Sequence, residues 1–264
     1  MKSHYASLWL LITSALAVIV GAGVVDEFSI GNWSPKKAPV ADLLMPPIDI
    51  APMEQKELAH LDSMLTPVEQ PVLVPVDSMP KTILLFGDSM TMNLALRLAK
   101  YSKQNGHSLY AINWDSSNTK IWAETDTLNY YLNKFKPDYV FISLGSNEVY
   151  FKNPDKRMPY VKKILSQIGD IPYVWIGPPN WNEDTGINDM LESTCKKGAF
   201  FRSAGMQFKR KKDNIHPTRE ASALWIDSIM RWLPKSSHPI LADVPSDSIK
   251  KSPSNLIFIK PYNK

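Results

Sequence analysis

The feature that most constrains the fold is an alternation of short apolar runs with amphipathic stretches between residues 81 and 233. Four of the apolar runs have the length and composition of buried strands: 82–86, 108–112, 139–144 and 173–176. Between them, apolar residues recur at helical spacing, as in the stretch 94–99. Strands that alternate with helices pair in parallel, and a parallel sheet is covered by helices on both faces. The pattern therefore predicts one α/β domain over residues 81–233, and roughly 150 residues suit such a domain.

Both flanks of this domain differ from it in composition. Prolines recur at short intervals over residues 26–80, which excludes long helices and central strands. We interpret this segment as a semi-extended stalk or simply a linker. Residues 234–264 are rich in Pro, Ser and Lys and are predicted to form a mostly irregular tail. The apolar run at 256–259 leaves two alternatives, an added strand or packing against the domain.

The N-terminal segment, residues 1–25, has the pattern of a membrane-targeting sequence. Lys2 precedes a stretch from Ser3 to Val25 without Asp, Glu, Lys or Arg. A basic start and an apolar centre are typical of a secretory signal, while roughly 20 apolar residues also span a bilayer as one helix. A cleaved signal peptide and an uncleaved anchor are both compatible with this pattern, and a buried core helix is a third alternative. The first two place the remaining chain outside the cytoplasm, in the periplasm or cell envelope.

Charge and cysteine content exclude several classes of function. The formal net charge is only +4, whereas nucleic-acid binders concentrate many basic residues on one face, so no nucleic-acid partner is predicted. The single cysteine, Cys195, excludes an intramolecular disulfide and any Cys-pair metal site. The sequence also lacks a metal-ligand cluster, a phosphate-binding glycine loop and a dinucleotide fingerprint, so it predicts no metal and no cofactor.

Three polar clusters fall where predicted strands end, and the sites of open parallel sheets form at those ends. The first cluster, residues 86–90, contains Ser89 on the turn between the first strand and the first helix. The N–H of a serine there points above the sheet, where the helix dipole favours a developing oxyanion. The alternative is that Asp88 only forms the turn and that Ser89 only caps the helix.

The other two clusters supply a neutral donor and an acid–base pair. Asn147, in the turn at residues 145–148, carries an amide that can stabilise an oxyanion, although an ordinary turn has the same composition. Asp213 precedes His216 by three residues, so its carboxylate can bond the ring Nδ1–H while Nε2 accepts a proton from a serine. Such a pair is often incidental. Its significance lies in its combination with the other two clusters.

The three clusters together resemble the SGNH, or GDSL-type, superfamily of esterases and lipases, over residues 82 to about 233. This resemblance implies a three-layer, flavodoxin-like domain with about five parallel strands. It assigns Ser89 as nucleophile, His216 as base and Asp213 as the partner of His216. Asn147 would then bind the oxyanion together with the N–H of Ser89.

Two positions depart from the family pattern. Glu148 stands where the family usually has aspartate, and we expect this change to be tolerated in a supporting role. The second block, residues 115–119, lacks the glycine whose N–H the family presents to the oxyanion. Ser117 is the best positional match, and its N–H can still donate if the backbone conformation is kept. A larger residue at this position would narrow the pocket.

Further residues near the predicted strand ends suit a carbohydrate. Trp181 follows Asn180 after the fourth strand and can stack on a sugar ring, although packing on a proline-rich loop is the alternative. The basic run at 209–212 can attract an anionic polymer or simply remain solvated.

The sequence thus predicts a serine esterase that hydrolyses small acyl esters, chiefly O-acetyl esters, on a small molecule or an extracytoplasmic glycan. An O-acyltransferase acting on an envelope polysaccharide would use the same residues. A non-catalytic, glycan-binding protein on the same fold is the third hypothesis, because the second block lacks its glycine.

Overall fold

The structure is a computed structural model that describes residues 74–246, Ser248, residues 255–260 and Thr13. The chain divides into two compact units, residues 1–70 and 71–264, and all elements below belong to the second. The signal or anchor predicted for residues 1–25, and the stalk as far as residue 73, lie outside the described residues apart from Thr13. In the described part of the chain, no helix is long and apolar enough to cross a membrane.

Six parallel strands form a single sheet in the order β5-β4-β3-β1-β2-β6. The strands are β1 (Thr82–Gly87), β2 (Ser108–Trp114), β3 (Tyr139–Ser143), β4 (Tyr173–Ile176), β5 (Phe200–Phe201) and β6 (Leu256–Ile259). The predicted α/β architecture is therefore confirmed, but the sheet has six strands and not about five.

Strand β6 comes from the C-terminal segment, and it pairs in parallel with β2, Leu256 opposite Ala111 and Ile259 opposite Trp114. The N–H of Asp115 extends the pairing by donating to the carbonyl oxygen of Ile259 at 3.2 Å. Of the two alternatives left open for the run at 256–259, the structure shows the added strand. It satisfies backbone groups that β2 would otherwise expose at an edge.

Among the described residues, six α-helices lie on the two faces of the sheet. They are α1 (Thr91–Gln104), α2 (Thr119–Glu124), α3 (Thr127–Phe135), α4 (Met158–Ile168), α5 (Ile187–Thr194) and α6 (Arg219–Trp232). Ile83 and Leu85 of β1 pack with apolar residues of α1 and α6. Leu84 and Phe86 point the other way and pack with apolar residues of α2 to α5. Because successive side chains of a strand alternate between faces, β1 is apolar throughout and buried on both sides.

Strand order reverses at β1, since β2 lies on one side of it and β3 on the other. Such a reversal leaves a crevice at the carboxyl ends of the strands. Gly87 ends β1 so close to β3 that a Cβ at this position would lie 1.9 Å from the carbonyl oxygen of Ser143. The next residue, Asp88, donates its N–H to that same oxygen at 3.0 Å. The missing side chain of Gly87 thus lets the turn that carries Ser89 start directly beside β3.

Candidate active site

Ser89 does not act as a helix cap. Helix α1 begins at Thr91, and its N-cap residue is Met90, which makes no capping side-chain bond. The hydroxyl of Ser89 instead lies 2.7 Å from Nε2 of His216, which is 127 residues further along the chain. This contact joins the end of β1 to the loop before α6, as a nucleophile and its base require.

Asp213 orients the other side of the imidazole. Its Oδ2 lies 2.9 Å from Nδ1 of His216, and its Oδ1 accepts the N–H groups of Ile215 and His216 at 2.9 Å each. The backbone N–H of His216, followed by that of Ile215, holds the pKa of the Asp213 carboxyl well below its usual range. The carboxylate is therefore charged at neutral pH. It favours the tautomer with the proton on Nδ1, so that the unprotonated Nε2 faces the serine.

The loop that carries Asp213 and His216 is a hairpin, residues 209–218. The N–H of Lys211 donates to the carbonyl oxygen of His216 at 2.8 Å. Inside the hairpin, the Arg210 guanidinium donates to the carbonyl oxygen of Ile215 and to that of Asn180, at 2.8 Å. Arg210 thus fastens the hairpin to the loop that follows β4. The sequence did not indicate this role, because the basic run was interpreted only as a charged surface.

Asp88 is completely buried and links two loops. Its Oδ1 accepts the N–H of Met90 at 3.0 Å, and its Oδ2 accepts the N–H of Ser146 at 3.2 Å. Burial raises the pKa of Asp88 to about 7, although the two N–H groups oppose the shift. The carboxyl therefore belongs to the turn and holds the loop that carries Ser89 against the segment that carries Asn147.

That segment, a short 3₁₀ helix at Ser146–Glu148, is also tied to the loop after β2. Asn147 donates one amide hydrogen to the carbonyl oxygen of Ser117 at 2.8 Å, and its second hydrogen has no partner in the described part of the chain. Glu148 is buried and accepts the hydroxyl of Thr119 at 2.7 Å and its N–H at 3.1 Å. It also pairs with Arg157 at 3.0 Å, while burial raises the pKa of its carboxyl. Glu148 thus has the supporting role expected of it.

Ser117 does not reach the cleft. It is buried, its N–H donates to the carbonyl oxygen of Trp114 at 3.1 Å, and its hydroxyl accepts the indole N–H of Trp122 at 2.9 Å. The preceding residue, Ser116, is exposed, lines the cleft and has φ = 59°, in the left-handed region that favours glycine. Its N–H has no hydrogen-bond partner among the described residues. The residue of this loop that lines the cleft is therefore Ser116 and not Ser117, the residue that the sequence match proposed.

These loops surround one cleft of about 640 Å³. Its lining residues are Ser89, Met92, Asp115, Ser116, Asn147, Tyr150, Trp181, Lys211, Ile215 and His216. Asn180 does not line it, since its side chain faces Asn188 Nδ2 at 3.4 Å. Of the basic run, Lys211 reaches the cleft, and Lys209 and Lys212 are solvent-exposed.

Two aromatic rings form one wall of the cleft. The indole N–H of Trp181 donates to the carbonyl oxygen of Ser146 at 2.8 Å. The Tyr150 ring meets the Trp181 ring edge to face, with 5.8 Å between centroids. The sequence does not indicate that Tyr150 belongs to the site, because an isolated tyrosine in a loop forms no periodic pattern and no motif.

The remaining reactive groups do not form a second centre. Over the described ranges, no group of three or more His, Cys, Asp or Glu side chains could hold a metal ion. Burial raises the pKa of the Cys195 thiol to about 12, so it stays protonated and is a poor nucleophile.

No protein-family model matches this sequence. A search of curated proteins likewise gives no match. The resemblance to the SGNH superfamily therefore depends on the residues of the three clusters.

Proposed function

We propose that this protein is a serine esterase that hydrolyses small acyl esters, with O-acetyl esters as its preferred class. The observation that carries the proposal is the hydrogen-bonded series Ser89–His216–Asp213, with contacts of 2.7 and 2.9 Å, at the wall of a single cleft. Residues from two distant loops meet here in the arrangement that serine hydrolases on unrelated folds share.

The arrangement supports acyl transfer in two steps. Ser89 Oγ attacks the ester carbonyl carbon while His216 Nε2 takes its proton, and the Asp213 carboxylate stabilises the imidazolium that results. The tetrahedral intermediate expels the alcohol, which takes the proton from His216, and leaves an acyl group on Ser89. A water molecule then attacks the acyl carbon, again with His216 as base, and releases the acid and the free serine.

Three donors are available for the oxyanion. The N–H groups of Ser89 and Ser116 have no hydrogen-bond partner among the described residues, and Asn147 keeps one free amide hydrogen. A single well-placed donor of this kind contributes about 3 kcal/mol to transition-state stabilisation. A serine at residue 116 keeps the backbone N–H that a glycine would offer, and this supports a catalytic protein over a non-catalytic one.

Ser116 also favours a small acyl group. Its side chain lines the cleft and occupies room that a glycine at residue 116 would leave open. An acetyl group needs less room than a longer acyl chain, so this side chain supports the preference for acetyl esters.

The test is hydrolysis of 4-nitrophenyl acetate by the full chain and by Ser89→Ala. We expect kcat/KM of the variant to fall by about 10⁴-fold or more, because removal of a triad nucleophile leaves only residual catalysis. Ser193→Ala, which changes an exposed serine on α5, is the matched control and should retain full activity. Undiminished turnover in Ser89→Ala would refute the proposal, and mass spectrometry of an acylated Ser89 would support it directly.

The extracytoplasmic location belongs to the same proposal and depends on the pattern of residues 1–25. Protease accessibility of the chain in intact spheroplasts tests it. Product analysis with a sugar acceptor distinguishes hydrolysis from acyl transfer to a glycan.

A further inference from the structure

The aromatic wall of the cleft is fixed to the catalytic loops and is not a loose surface feature. Trp181 packs against both hydrophobic clusters of the domain, and its indole N–H bonds the carbonyl oxygen of Ser146 at 2.8 Å. Ser146 immediately precedes Asn147, which lines the cleft. This hydrogen bond therefore fixes the position of the Trp181 ring relative to Asn147.

Tyr150 extends this wall towards solvent. Its ring is inclined at 75° to that of Trp181, and the side chain is 54% exposed. Buried Glu148 anchors the chain two residues earlier, so the Tyr150 backbone starts from a fixed point. An exposed ring that continues a partly buried one, beside the proposed nucleophile, offers an apolar surface for the part of a substrate that does not react.

We propose that Tyr150 and Trp181 form a subsite for the pyranose ring that carries the ester, so that the substrate class is an O-acylated carbohydrate. This inference rests on the esterase function proposed above. One face of a pyranose consists of C–H groups that pack on an aromatic ring, whereas its hydroxyls need polar partners. The cleft supplies such partners in Asp115, Ser116 and Lys211.

The size and polarity of the cleft support a sugar as the alcohol part of the ester. Its volume of about 640 Å³ far exceeds the need of an acetyl group and lies among the volumes of small-molecule sites, roughly 300–1,000 Å³. An aromatic acyl group would require a mainly apolar slot for a flat ring. Here the apolar wall faces charged and hydroxyl side chains, an arrangement that suits a molecule with one apolar face and a polar rim.

The experiment compares two mono-O-acetylated substrates, methyl glucoside acetate and sorbitol acetate. Sorbitol carries similar hydroxyls but has no ring face, so the ratio of the two kcat/KM values isolates the contribution of the ring. We expect Tyr150→Ala in the full chain to lower this ratio by about tenfold, the scale of one aromatic contact. Trp181→Phe, which keeps a ring but loses the N–H bond, should lower it as well.

Tyr130→Ala is the matched control. Tyr130 is 55% exposed, lies on α3 and also makes an edge-to-face contact, but it does not line the cleft. The ratio in this variant should equal that of the wild type. Thermal unfolding of each variant separates a loss of binding from a loss of structure.

Two results would overturn the subsite. One is an equal effect of Tyr150→Ala on both acetates. The other is a larger effect of Tyr150→Ala on sorbitol benzoate, which has an aromatic acyl group and no sugar ring, than on methyl glucoside acetate. If the wild type hydrolyses 4-nitrophenyl acetate but neither of these acetates, the subsite fails and the esterase function stands. If it hydrolyses none of the three, the esterase function fails, and saturation-transfer NMR with methyl glucoside acetate then decides the subsite alone. Saturation that passes from the wild-type protein to the ring protons, and is lost in Tyr150→Ala, would support the subsite. No transfer from the wild-type protein to the ring protons would overturn it.

Discussion

Asp88 and Asp213 flank the same serine and histidine, yet their surroundings shift their carboxyl pKa values in opposite directions. Burial raises the pKa of Asp88 to about 7. Asp213, with a side chain 43% exposed, accepts two backbone N–H groups that lower its pKa. The environment therefore shifts the pKa values of two chemically identical carboxyl groups apart. One stays charged beside the imidazole, and the other holds loops together inside the domain.

The same contrast extends to the two sides of the site. The side that carries the proposed nucleophile, residues 86–90 and 145–148, is called the nucleophile side. It follows β1 and β3 directly and is fixed by hydrogen bonds to the buried Asp88 carboxyl. The base side, the hairpin at residues 209–218, is largely exposed and is fixed by hydrogen bonds within itself and by Arg210. Apart from Ser89 itself, we therefore expect substitutions on the nucleophile side to lower stability and substitutions on the base side to lower activity.

The largest expected effect is on activity, from Asp213→Asn. An amide has no negative charge to stabilise the imidazolium. Its NH₂ group can also place a donor opposite Nδ1, where the carboxylate offers an acceptor, so kcat should fall by about 10³- to 10⁴-fold. The midpoint of thermal unfolding should change little, because Asp213 is exposed. Asp170→Asn, an exposed aspartate after α4, serves as the control in both measurements. A kcat within tenfold of the wild type would show that Asp213 does not orient the base.

The next effect is on stability, from Gly87→Ala. The added Cβ would lie 1.9 Å from the Ser143 carbonyl oxygen, so β1 and β3 must separate. We expect the free energy of unfolding in urea to fall by about 3 kcal/mol. Gly106→Ala is the control, because Gly106 has φ = 73° but no atom within 4 Å of its added Cβ. It should cost only about 1 kcal/mol, and equal losses in the two variants would contradict a steric cause.

A smaller effect, one that depends on pH, is expected for Asp88→Asn. An amide oxygen replaces only one of the two acceptors for the Met90 and Ser146 N–H groups, which should cost about 2 kcal/mol at pH 5. The wild-type carboxyl has a pKa of about 7 when folded, against 3.8 as its ordinary value. Between these values the folded state holds a proton that the unfolded state has lost, so wild-type stability falls as pH rises and levels off above 7.

The variant has no such carboxyl and lacks this decline. The two free energies of unfolding should therefore lie closer together at pH 8 than at pH 5, as urea titrations at both values would show. A constant difference would mean that Asp88 does not titrate in this range. ¹³C NMR of the Asp88 carboxyl measures its pKa directly.

Sequence patterns predicted the α/β sheet and the neighbourhood of Ser89, Asn147 and His216 because both follow from local order. Parallel strands end at one edge, so polar residues just after them meet there. Strand β6 was left open because its pairing with β2 joins segments more than a hundred residues apart. Ser116 was missed because its left-handed φ is a property of the folded loop and not of the residue type.

The smallest expected effect is on activity, from Arg210→Lys on the base side. Lysine keeps the charge but cannot bridge the carbonyl oxygens of Ile215 and Asn180 with one planar group. A hairpin freed from the β4 loop should hold His216 less well, and kcat/KM for 4-nitrophenyl acetate should fall by about tenfold. Lys212→Ala, in the same hairpin and exposed, should leave it unchanged. If Arg210→Lys instead lowers stability as Gly87→Ala does, the base side is also built into the core, and the contrast between the two sides fails.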